Sequence, residues 1–194
     1  MIKPSRLFAI LPLLIFALTP GAPRSRTDAT AVLAGGCFWG VEEVYEHIRG
    51  VRSVTSGYTD GLIEAVRIVY DPEMVSYREL LEVFFRIAHD PTSRDRQGPD
   101  AGPEYRAVVY YVNEAQQSDA RRMVSELTTT HAYTKPIVTE IRPFGSFRVA
   151  EAYHQDYAAR HPDDPYIVIN DLPKLEHLRR HFPRLYREQR AAAN

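Results

Sequence analysis

The chain has 194 residues, of which 44% are hydrophobic and 25% are charged, and its formal net charge at pH 7 is −1. This length and composition, without internal repeats or low-complexity tracts, indicate one globular domain with a proper core and exclude a repeat or disordered protein. The near-neutral charge, with arginines scattered among acidic residues, argues against a nucleic-acid-binding function.

The first 26 residues are typical of an export signal. Lys3 and Arg6 precede an apolar run at residues 7–18, and a Pro-Gly-Ala-Pro segment at 20–23 follows it. The run is short for a membrane span, which favours a cleaved signal, whereas an uncleaved segment would act as an N-terminal membrane anchor. The sequence therefore predicts an exported, periplasmic protein without a stable membrane span.

The single cysteine, Cys37, lies between the apolar run 31–33 and an amphipathic pattern that begins after Gly40. The run predicts a buried strand and the pattern predicts a helix, which places Cys37 where free backbone N–H groups stabilise an anion. Such a position lowers a thiol pKa from about 8.5 to about 7 or below. Because exported proteins ordinarily pair their cysteines, one unpaired cysteine favours a reactive thiol. The alternative is an inert core cysteine, with Phe38 and Trp39 as packing residues.

A hairpin is predicted next. Residues 51–58 and 64–70 are β-like and flank the turn 59–61, whose Asp-Gly pair favours a tight connection. Tyr58 and Glu64 are therefore expected on either side of one turn.

A capped helix and a loop follow. Ser76 and Glu79 form a capping-box pattern that opens a helix with an apolar face at residues 80–88. Residues 89–103 are rich in Pro, Gly, Asp and Arg and lack periodicity. They predict a long loop, and loops of that length are usually functional.

The rest of the chain, from residue 106 onwards, is predicted to alternate between strands and helices. Residues 106–112 and 137–141 are β-rich, Asn113 caps a helical pattern that continues to about Leu127, and residues 150–160 are helical in pattern. A last helix is indicated around 175–186, in which Pro183 forces a break or a kink. The alternation predicts an α+β fold, a two-layer α/β sandwich with a mixed sheet and Cys37 at the N-terminus of the first helix.

Several short motifs follow one another in a fixed order. They are 35–40 (Gly-Gly-Cys-Phe-Trp-Gly), Gly57-Tyr58 with Gly61-x-x-Glu64, Asp71-Pro72, 89–92 (His-Asp-Pro-Thr), the set within 96–106, and 150–155. Together they cover roughly Val32 to His161 and resemble the peptide methionine sulfoxide reductase A family. The resemblance implies a ferredoxin-like-related core, a reductase domain at 27–161, and a C-terminal extension at 162–194 packed on it.

The resemblance also implies an activity, the reduction of methionine S-sulfoxide in proteins or peptides to methionine, because enzymes of this kind each act on one sulfoxide epimer. It implies a monomer with neither a cofactor nor a metal. Five catalytic roles carry over by position: Cys37 as nucleophile, Glu64 as acid, Tyr58 and Tyr105 as hydroxyls that hold the sulfoxide oxygen, and Asp100 as their support.

These roles are chemically consistent. Attack at a sulfoxide sulfur needs hydrogen-bond donors on the oxygen and a proton delivered as the S–O bond breaks. Glu64 must therefore stay protonated near neutral pH, which requires burial to raise its pKa from about 4.3. Phe38 and Trp39 are predicted to bind the substrate's methyl group.

Three histidines, His154, His177 and His181, are predicted to have structural rather than catalytic or metal-binding roles. We interpret His154 as a hydrogen-bonding residue rather than a catalyst. His177 and His181 lie one helical turn apart, but without a third ligand they predict a solvated face rather than a metal site.

With one cysteine, an external thiol has to recycle the oxidised protein. The candidates are a thioredoxin-like partner, a glutaredoxin-like partner and a small thiol such as glutathione. The loop between Tyr58 and Glu64 is shorter than in relatives, with Leu62 in place of the usual His. Two alternatives stay open: a one-cysteine thiol peroxidase, and a non-catalytic sulfoxide-binding protein with a truncated active-site loop.

Overall fold

A six-stranded mixed sheet forms the centre of the fold in the computed structural model, which describes residues 27–188. The predicted export signal at 1–26 lies outside the described residues. The strands are β1 (Ala29–Ala34), β2 (Val51–Thr59), β3 (Ile63–Tyr70), β4 (Arg96–Gln97), β5 (Asp100–Ala101), β6 (Val108–Tyr111), β7 (Glu140–Pro143) and β8 (Arg148–Val149). The sheet order is β7-β6-β1-β3-β2-β8, with only the β6–β7 pair parallel, and β4 pairs with β5 as a separate hairpin.

The helices are α1 (Phe38–Glu46), α2 (Tyr77–Val83), α3 (Glu114–Thr129), α4 (Tyr157–Arg160), α5 (Pro165–Asn170) and α6 (Leu172–His181). Helix α1 lies against β2 and β3, α3 lies against α2 and β6, and α4 and α6 pack on α1. This layer of helices on a mixed sheet confirms the predicted α+β fold class. None of the helices within 27–188 is long and apolar enough to cross a membrane.

Strand β1 is central because both of its faces are apolar. Leu33 points into the main core between sheet and helices, while Val32 points into a smaller cluster on the opposite face. Phe144 and Phe147 pack on that smaller cluster. With both faces covered, β1 is fixed in place, and it leads directly into the turn that carries Cys37.

Three predicted local features are confirmed. Strands β2 and β3 form the expected hairpin, in which Tyr58 lies directly opposite Glu64. Ser76 forms a reciprocal capping box at the start of α2, and the Asn113 side chain caps α3 by accepting a hydrogen bond from the Gln116 N–H. Each feature follows from local turn or cap chemistry.

Other elements differ from the prediction where contacts from distant parts of the chain intervene. The predicted loop 89–103 contains the β4–β5 hairpin, which turns at Gly98 with a φ of 57°, a conformation that glycine adopts readily. The strand expected at 137–141 begins at Glu140 instead. The helix expected at 150–160 is interrupted, since Asp156 has a φ of 52° and its N–H donates to the buried Glu42 carboxyl.

The last predicted helix is shifted towards the N-terminus. Helix α6 ends at His181, so the predicted break at Pro183 is confirmed, because a proline ring cannot continue a helix.

Candidate active site

Cys37 occupies the N-cap of α1, as predicted, and its side chain is partly exposed. The turn that brings it there depends on Gly36, which has a φ of 90°. A Cβ on Gly36 would lie 2.5 Å from the Cβ of Gln97, so only glycine lets β4 pack this closely. The thiol is therefore held at the start of the helix between β1 and the β4–β5 hairpin.

The Glu64 carboxyl is fixed beside Cys37. Glu64 shares the alternation of Val66 and Ile68 in β3, whose side chains enter the core on the helix side of the sheet. Its Oε2 accepts a hydrogen bond of 2.9 Å from the backbone N–H of Phe38, the first residue of α1. The strand thus delivers an acid to the helix N-terminus that carries the thiol.

Burial raises the pKa of Glu64 to about 7, with the Phe38 N–H opposing the shift and the negative charge of Asp100 adding to it. A carboxyl with this pKa is half protonated at neutral pH. Burial therefore shifts the pKa of Glu64 in the direction that the acid role requires.

The pKa of Cys37 differs from the prediction. Burial raises it above its ordinary value, the negative charge of Glu64 raises it further, and the opposing hydrogen bond from the Trp39 backbone N–H is smaller than either. The expected lowering by the helix N-terminus is therefore wrong for the substrate-free protein, because burial outweighs the backbone donors. Cys37 and Glu64 are coupled: the thiol ionises more readily when the carboxyl carries a proton.

An aromatic wall stands next to the thiol. Phe38 is 1% exposed, and the His154 ring lies 5.0 Å from the Phe38 ring. The Trp39 indole N–H donates to His154 Nδ1 at 3.2 Å, and the indole ring stacks on the Tyr157 ring with the centroids 3.7 Å apart. His154 joins the two aromatic residues by hydrogen bonding and packing, in agreement with its predicted role.

The two predicted tyrosines have different surroundings. The Tyr58 ring meets Phe38 edge-on at 5.6 Å, and its hydroxyl donates to Glu151 Oε2 at 3.4 Å. Tyr105 ends a 3₁₀ turn at Pro103–Tyr105. Partial burial raises the pKa of Tyr105 to about 12, and the negative charge of Glu64 raises it further. The 3₁₀ turn that carries Tyr105 contacts β3, the strand that carries Glu64.

Tyr166 belongs to the site although the sequence analysis did not include it. Asp164 caps α5 by accepting a hydrogen bond from the Tyr166 N–H at 2.8 Å. The Tyr166 hydroxyl donates to the Asp100 carboxylate and lies within hydrogen-bonding distance of the Cys37 thiol. An Asp-Pro pair at 164–165 is a helix-start signal, but no local pattern connects residue 166 with residue 37.

Helix α6 approaches the site through Gly40. A Cβ on Gly40 would lie 2.0 Å from Asp171 Oδ1, so a side chain there would push the C-terminal helices away. Asp171 is 1% exposed and pairs with Lys174, whose Nζ lies 3.1 Å from Asp171 Oδ1. This pair is a second feature of the site that the sequence analysis did not identify.

The site therefore brings Cys37, Glu64, Tyr105 and Asp100 together, and Tyr58 packs against the Phe38 ring. The two C-terminal histidines do not join it. His177 and His181 are exposed with ring centroids 6.0 Å apart, and the residues described, 27–188, hold no group of three or more His, Cys, Asp or Glu side chains able to bind a metal ion.

Comparison with known proteins identifies the family. A family model described as peptide methionine sulfoxide reductase matches residues 29–185. The chain is 43% identical over 176 residues to peptide methionine sulfoxide reductase MsrA 2 of Mesorhizobium japonicum, which covers 82% of this chain and 90% of that protein. The reduced form of Mxr1 from Saccharomyces cerevisiae superimposes with a TM-score of 0.64 at 29% identity, covering 70% of this chain and 87% of that one. Mxr1 in complex with Trx2 superimposes with a TM-score of 0.52 at 25% identity, covering 73% and 91% of the two chains. These matches confirm the resemblance carried by the motifs, and the chain belongs to the peptide methionine sulfoxide reductase family of oxidoreductases.

Proposed function

We propose that this protein reduces the S-epimer of methionine sulfoxide in peptides and proteins to methionine. The observation that carries the proposal is the Glu64 carboxyl, with a pKa of about 7, held at the helix N-terminus beside Cys37. In the reaction the Cys37 thiolate attacks the sulfoxide sulfur and forms an S–S bond, while Glu64 protonates the sulfoxide oxygen. The resulting hydroxyl group then moves to the Cys37 sulfur as the S–O bond to methionine and the S–S bond break. Methionine leaves, and Cys37 remains as a sulfenic acid.

Cys37 and Glu64 affect each other's protonation. The ionised carboxyl raises the pKa of Cys37, so a proton that moves from the thiol to Glu64 creates the nucleophile and the acid in one step. A single proton held by the pair is therefore the reactive protonation state.

The remaining residues bind and orient the sulfoxide. We assign the Tyr105 hydroxyl the role of donor to the sulfoxide oxygen, because its turn contacts β3 and the charge of Glu64 acts on it. The Tyr58 hydroxyl also donates to the sulfoxide oxygen once it rotates away from Glu151. Phe38 and Trp39 enclose the methyl group of the substrate. Asp100 acts through Tyr166, because it accepts the hydrogen bond that fixes that phenol beside the thiol.

An external thiol completes the cycle because the chain has one cysteine. The complex of the similar yeast protein with Trx2 supports a thioredoxin-class reductant. A glutaredoxin-like protein or a small thiol is chemically equivalent at this step.

A single-turnover assay with each resolved sulfoxide epimer tests the proposal. We expect one equivalent of methionine from the S-epimer, one sulfenic acid on Cys37 by intact mass, and neither product in Cys37→Ser. Faster turnover of hydrogen peroxide than of either epimer would identify a thiol peroxidase. Binding of the sulfoxide without oxidation of Cys37 would identify a non-catalytic sulfoxide-binding protein.

We also propose export to the periplasm and a monomeric state. Export is supported by Lys3, Arg6 and the apolar run 7–18 of the sequence. Fractionation of expressing cells with N-terminal sequencing of the recovered protein tests export and cleavage, and light scattering after gel filtration tests the oligomeric state.

A further inference from the structure

Among residues 27–188, one polar contact orients the Trp39 indole: its N–H donates to Nδ1 of His154 at 3.2 Å. Its ring contacts are with Tyr157, which stacks on it with the centroids 3.7 Å apart, and with Tyr166, which meets it edge-on at 5.9 Å. Stacked rings can turn about their common axis at little cost, whereas a hydrogen bond weakens steeply as it bends. His154 is therefore the residue that fixes the direction in which the indole points.

This hydrogen bond also fixes the position of the imidazole proton. An indole N–H can only donate, so Nδ1 of His154 has to be the unprotonated acceptor, and in the neutral ring the proton lies on Nε2. Nε2 lies 3.9 Å from Oε2 of Glu151, and a carboxylate on that side favours a proton on Nε2. The contacts therefore specify one neutral tautomer of His154.

A second proton on the ring would break the contact with Trp39. A cationic imidazole donates from both nitrogens, so an N–H at Nδ1 would oppose the indole N–H. Burial lowers the pKa of His154 below its ordinary value, and the negative charge of Glu151 opposes this shift in part. The ring is therefore predominantly neutral at pH 7.

The groups that can change this balance lie on the segment of His154 itself and on two strands. They are Glu151 and Tyr153, Tyr58 of β2 and Arg148 of β8. Tyr58 and Arg148 act through Glu151, because each contacts one of its carboxyl oxygens at 3.4 Å. Helix α1 faces His154 with the rings of Phe38 and Trp39, which do not titrate. Glu151 is thus the charge that acts most directly on the imidazole.

We propose that His154 is a positioning residue for the substrate's methyl group, because its neutral ring accepts from the Trp39 indole and holds it in the wall that encloses the methyl. The inference rests on the proposed function for the place of the methyl group. His154 acts through Trp39 and is not itself a catalytic residue. Because the wall surrounds the methyl group before and during the reaction, loss of His154 should weaken substrate binding more than it slows the chemical step.

NMR of the substrate-free protein tests the tautomer directly. Trp39 is the only tryptophan in the sequence, so the ¹⁵N-labelled protein gives one indole N–H signal. The ¹⁵N shifts of the His154 ring, assigned by their loss in His154→Gln, show which nitrogen carries the proton. At pH 7.5 we expect Nε2 to be protonated, Nδ1 to be unprotonated, and the indole N–H to exchange slowly with water. A proton on Nδ1 at pH 7.5 would overturn the inference.

Single-turnover reduction of a peptide that carries methionine S-sulfoxide tests the effect on binding. In His154→Leu, which keeps an apolar side chain but cannot accept, the half-saturating peptide concentration should rise about two- to tenfold, the contribution of one hydrogen bond. The limiting rate should change by less than about twofold, as expected for lost ground-state binding. His154→Gln can accept through its side-chain oxygen and should keep most of the wild-type affinity.

The pH dependence supplies a second measurement that does not need His154→Leu to be stable. In the wild type the half-saturating concentration should rise as the pH falls below about 6.5, where His154 gains its second proton. His154→Gln should lose this rise, because its amide does not titrate. A rise of the same size in both proteins would overturn the inference.

Two further variants separate positioning from packing. His161→Leu removes a ring that lies 4.4 Å from Tyr157 on the same aromatic stack, and it should keep the wild-type half-saturating concentration. Trp39→Phe removes the indole N–H but keeps an aromatic ring. In that background His154→Leu should have no further effect on the half-saturating concentration.

Equal losses from His154→Leu in the wild-type and Trp39→Phe backgrounds would overturn the inference, because His154 would then act by packing alone. So would an unchanged half-saturating concentration in His154→Leu. Failure of the proposed function gives a different result, the absence of methionine from the wild-type single turnover. The NMR measurement uses no substrate, so it decides the tautomer of His154 in either case.

Discussion

Cys37 and Glu64 lie in an environment that disfavours a negative charge on either side chain. Burial raises the pKa of both groups, and the charge of Glu64 is the second cause of the shift at Cys37. Helix N-termini stabilise anions, but here the Glu64 carboxylate accepts the Phe38 N–H while the thiol is only partly exposed to solvent. Near pH 7 the thiol therefore keeps its proton while the carboxyl is half protonated, and the pair holds one or two protons.

Replacement of Glu64 by Gln should separate the two roles of this carboxyl. Because the variant removes a negative charge, the pKa of Cys37 should fall and alkylation by iodoacetamide at pH 7.5 should accelerate. Because it removes the proton donor, the single-turnover rate of sulfoxide reduction should fall by about 10² to 10⁴. Stopped-flow alkylation and the single-turnover assay measure the two effects, with the exposed Glu114→Gln as control.

The pH profile provides an internal check on Glu64. Below about pH 7 the Glu64 carboxyl becomes protonated as well, so Cys37 and Glu64 together hold two protons and both groups are neutral. We therefore expect kcat/KM to decline as the pH falls through 7. Glu64→Gln should lose this inflection. A variant that keeps the inflection and the rate would remove Glu64 from the acid role.

At this scale the sequence placed residues more reliably than it predicted their ionisation. The hairpin register and the alternation of β3 put Glu64 opposite Tyr58 and on the core face. The predicted lowering of the Cys37 pKa was wrong because this pKa depends on how deeply the folded chain buries the thiol. Tyr166 was missed for a related reason, since its contact with Cys37 joins residues far apart in sequence.

Helix α1 carries carboxyl groups that are buried on the side away from solvent. Glu42 and Glu43 are 1% and 6% exposed, and burial raises the pKa of each to about 7. Glu42 Oε2 accepts the Asp156 N–H at 3.0 Å, which fixes the left-handed turn before α4. The helix that presents the nucleophile thus also anchors the segment that carries Tyr157 and His154.

We predict that Glu42→Gln stabilises the protein at alkaline pH. The folded pKa of about 7 lies above the unfolded value of about 4.3, so the native state binds this proton more tightly. The contribution is complete below the unfolded pKa and is lost as the pH rises through 7. Gln keeps the acceptor for Asp156 without the charge, so urea unfolding at pH 8 should show a gain of about 1 to 3 kcal/mol.

The gain should shrink towards zero at pH 5, where Glu42 of the wild type is protonated. The exposed Glu114→Gln should change stability by less than about 0.5 kcal/mol at both pH values. An equal effect of Glu42→Gln at pH 5 and pH 8 would contradict the assigned titration.

Elements that begin with a cap or a tight turn were predicted well, and elements bounded by distant contacts were not. Asn113 and Ser76 mark the starts of α3 and α2 in the sequence itself. The break at Asp156 depends on Glu42, more than a hundred residues earlier. No window of local sequence contains that information.

The C-terminal region is tied to the rest of the molecule at several points. Ile167 of α5 and Leu178 of α6 are fully buried. The Arg187 N–H donates to the His47 carbonyl at 2.9 Å, and the family match continues to residue 185. The division into a domain at 27–161 and an extension at 162–194 stays a prediction, and these contacts supply the means to test it.

Removal of residues 162–194 should abolish cooperative folding. Loss of one buried Ile or Leu side chain costs about 2 to 5 kcal/mol, and whole domains are stable by about 5 to 15 kcal/mol. Truncation removes Ile167, Leu178 and the Asp171–Lys174 pair together, so the loss approaches or exceeds the total. A chain ending at residue 188 keeps every described residue and should unfold with the melting temperature of the full-length protein. If the chain ending at residue 161 instead melts cooperatively within a few degrees of it, residues 162–188 are an added segment and the reductase domain ends where the motifs end.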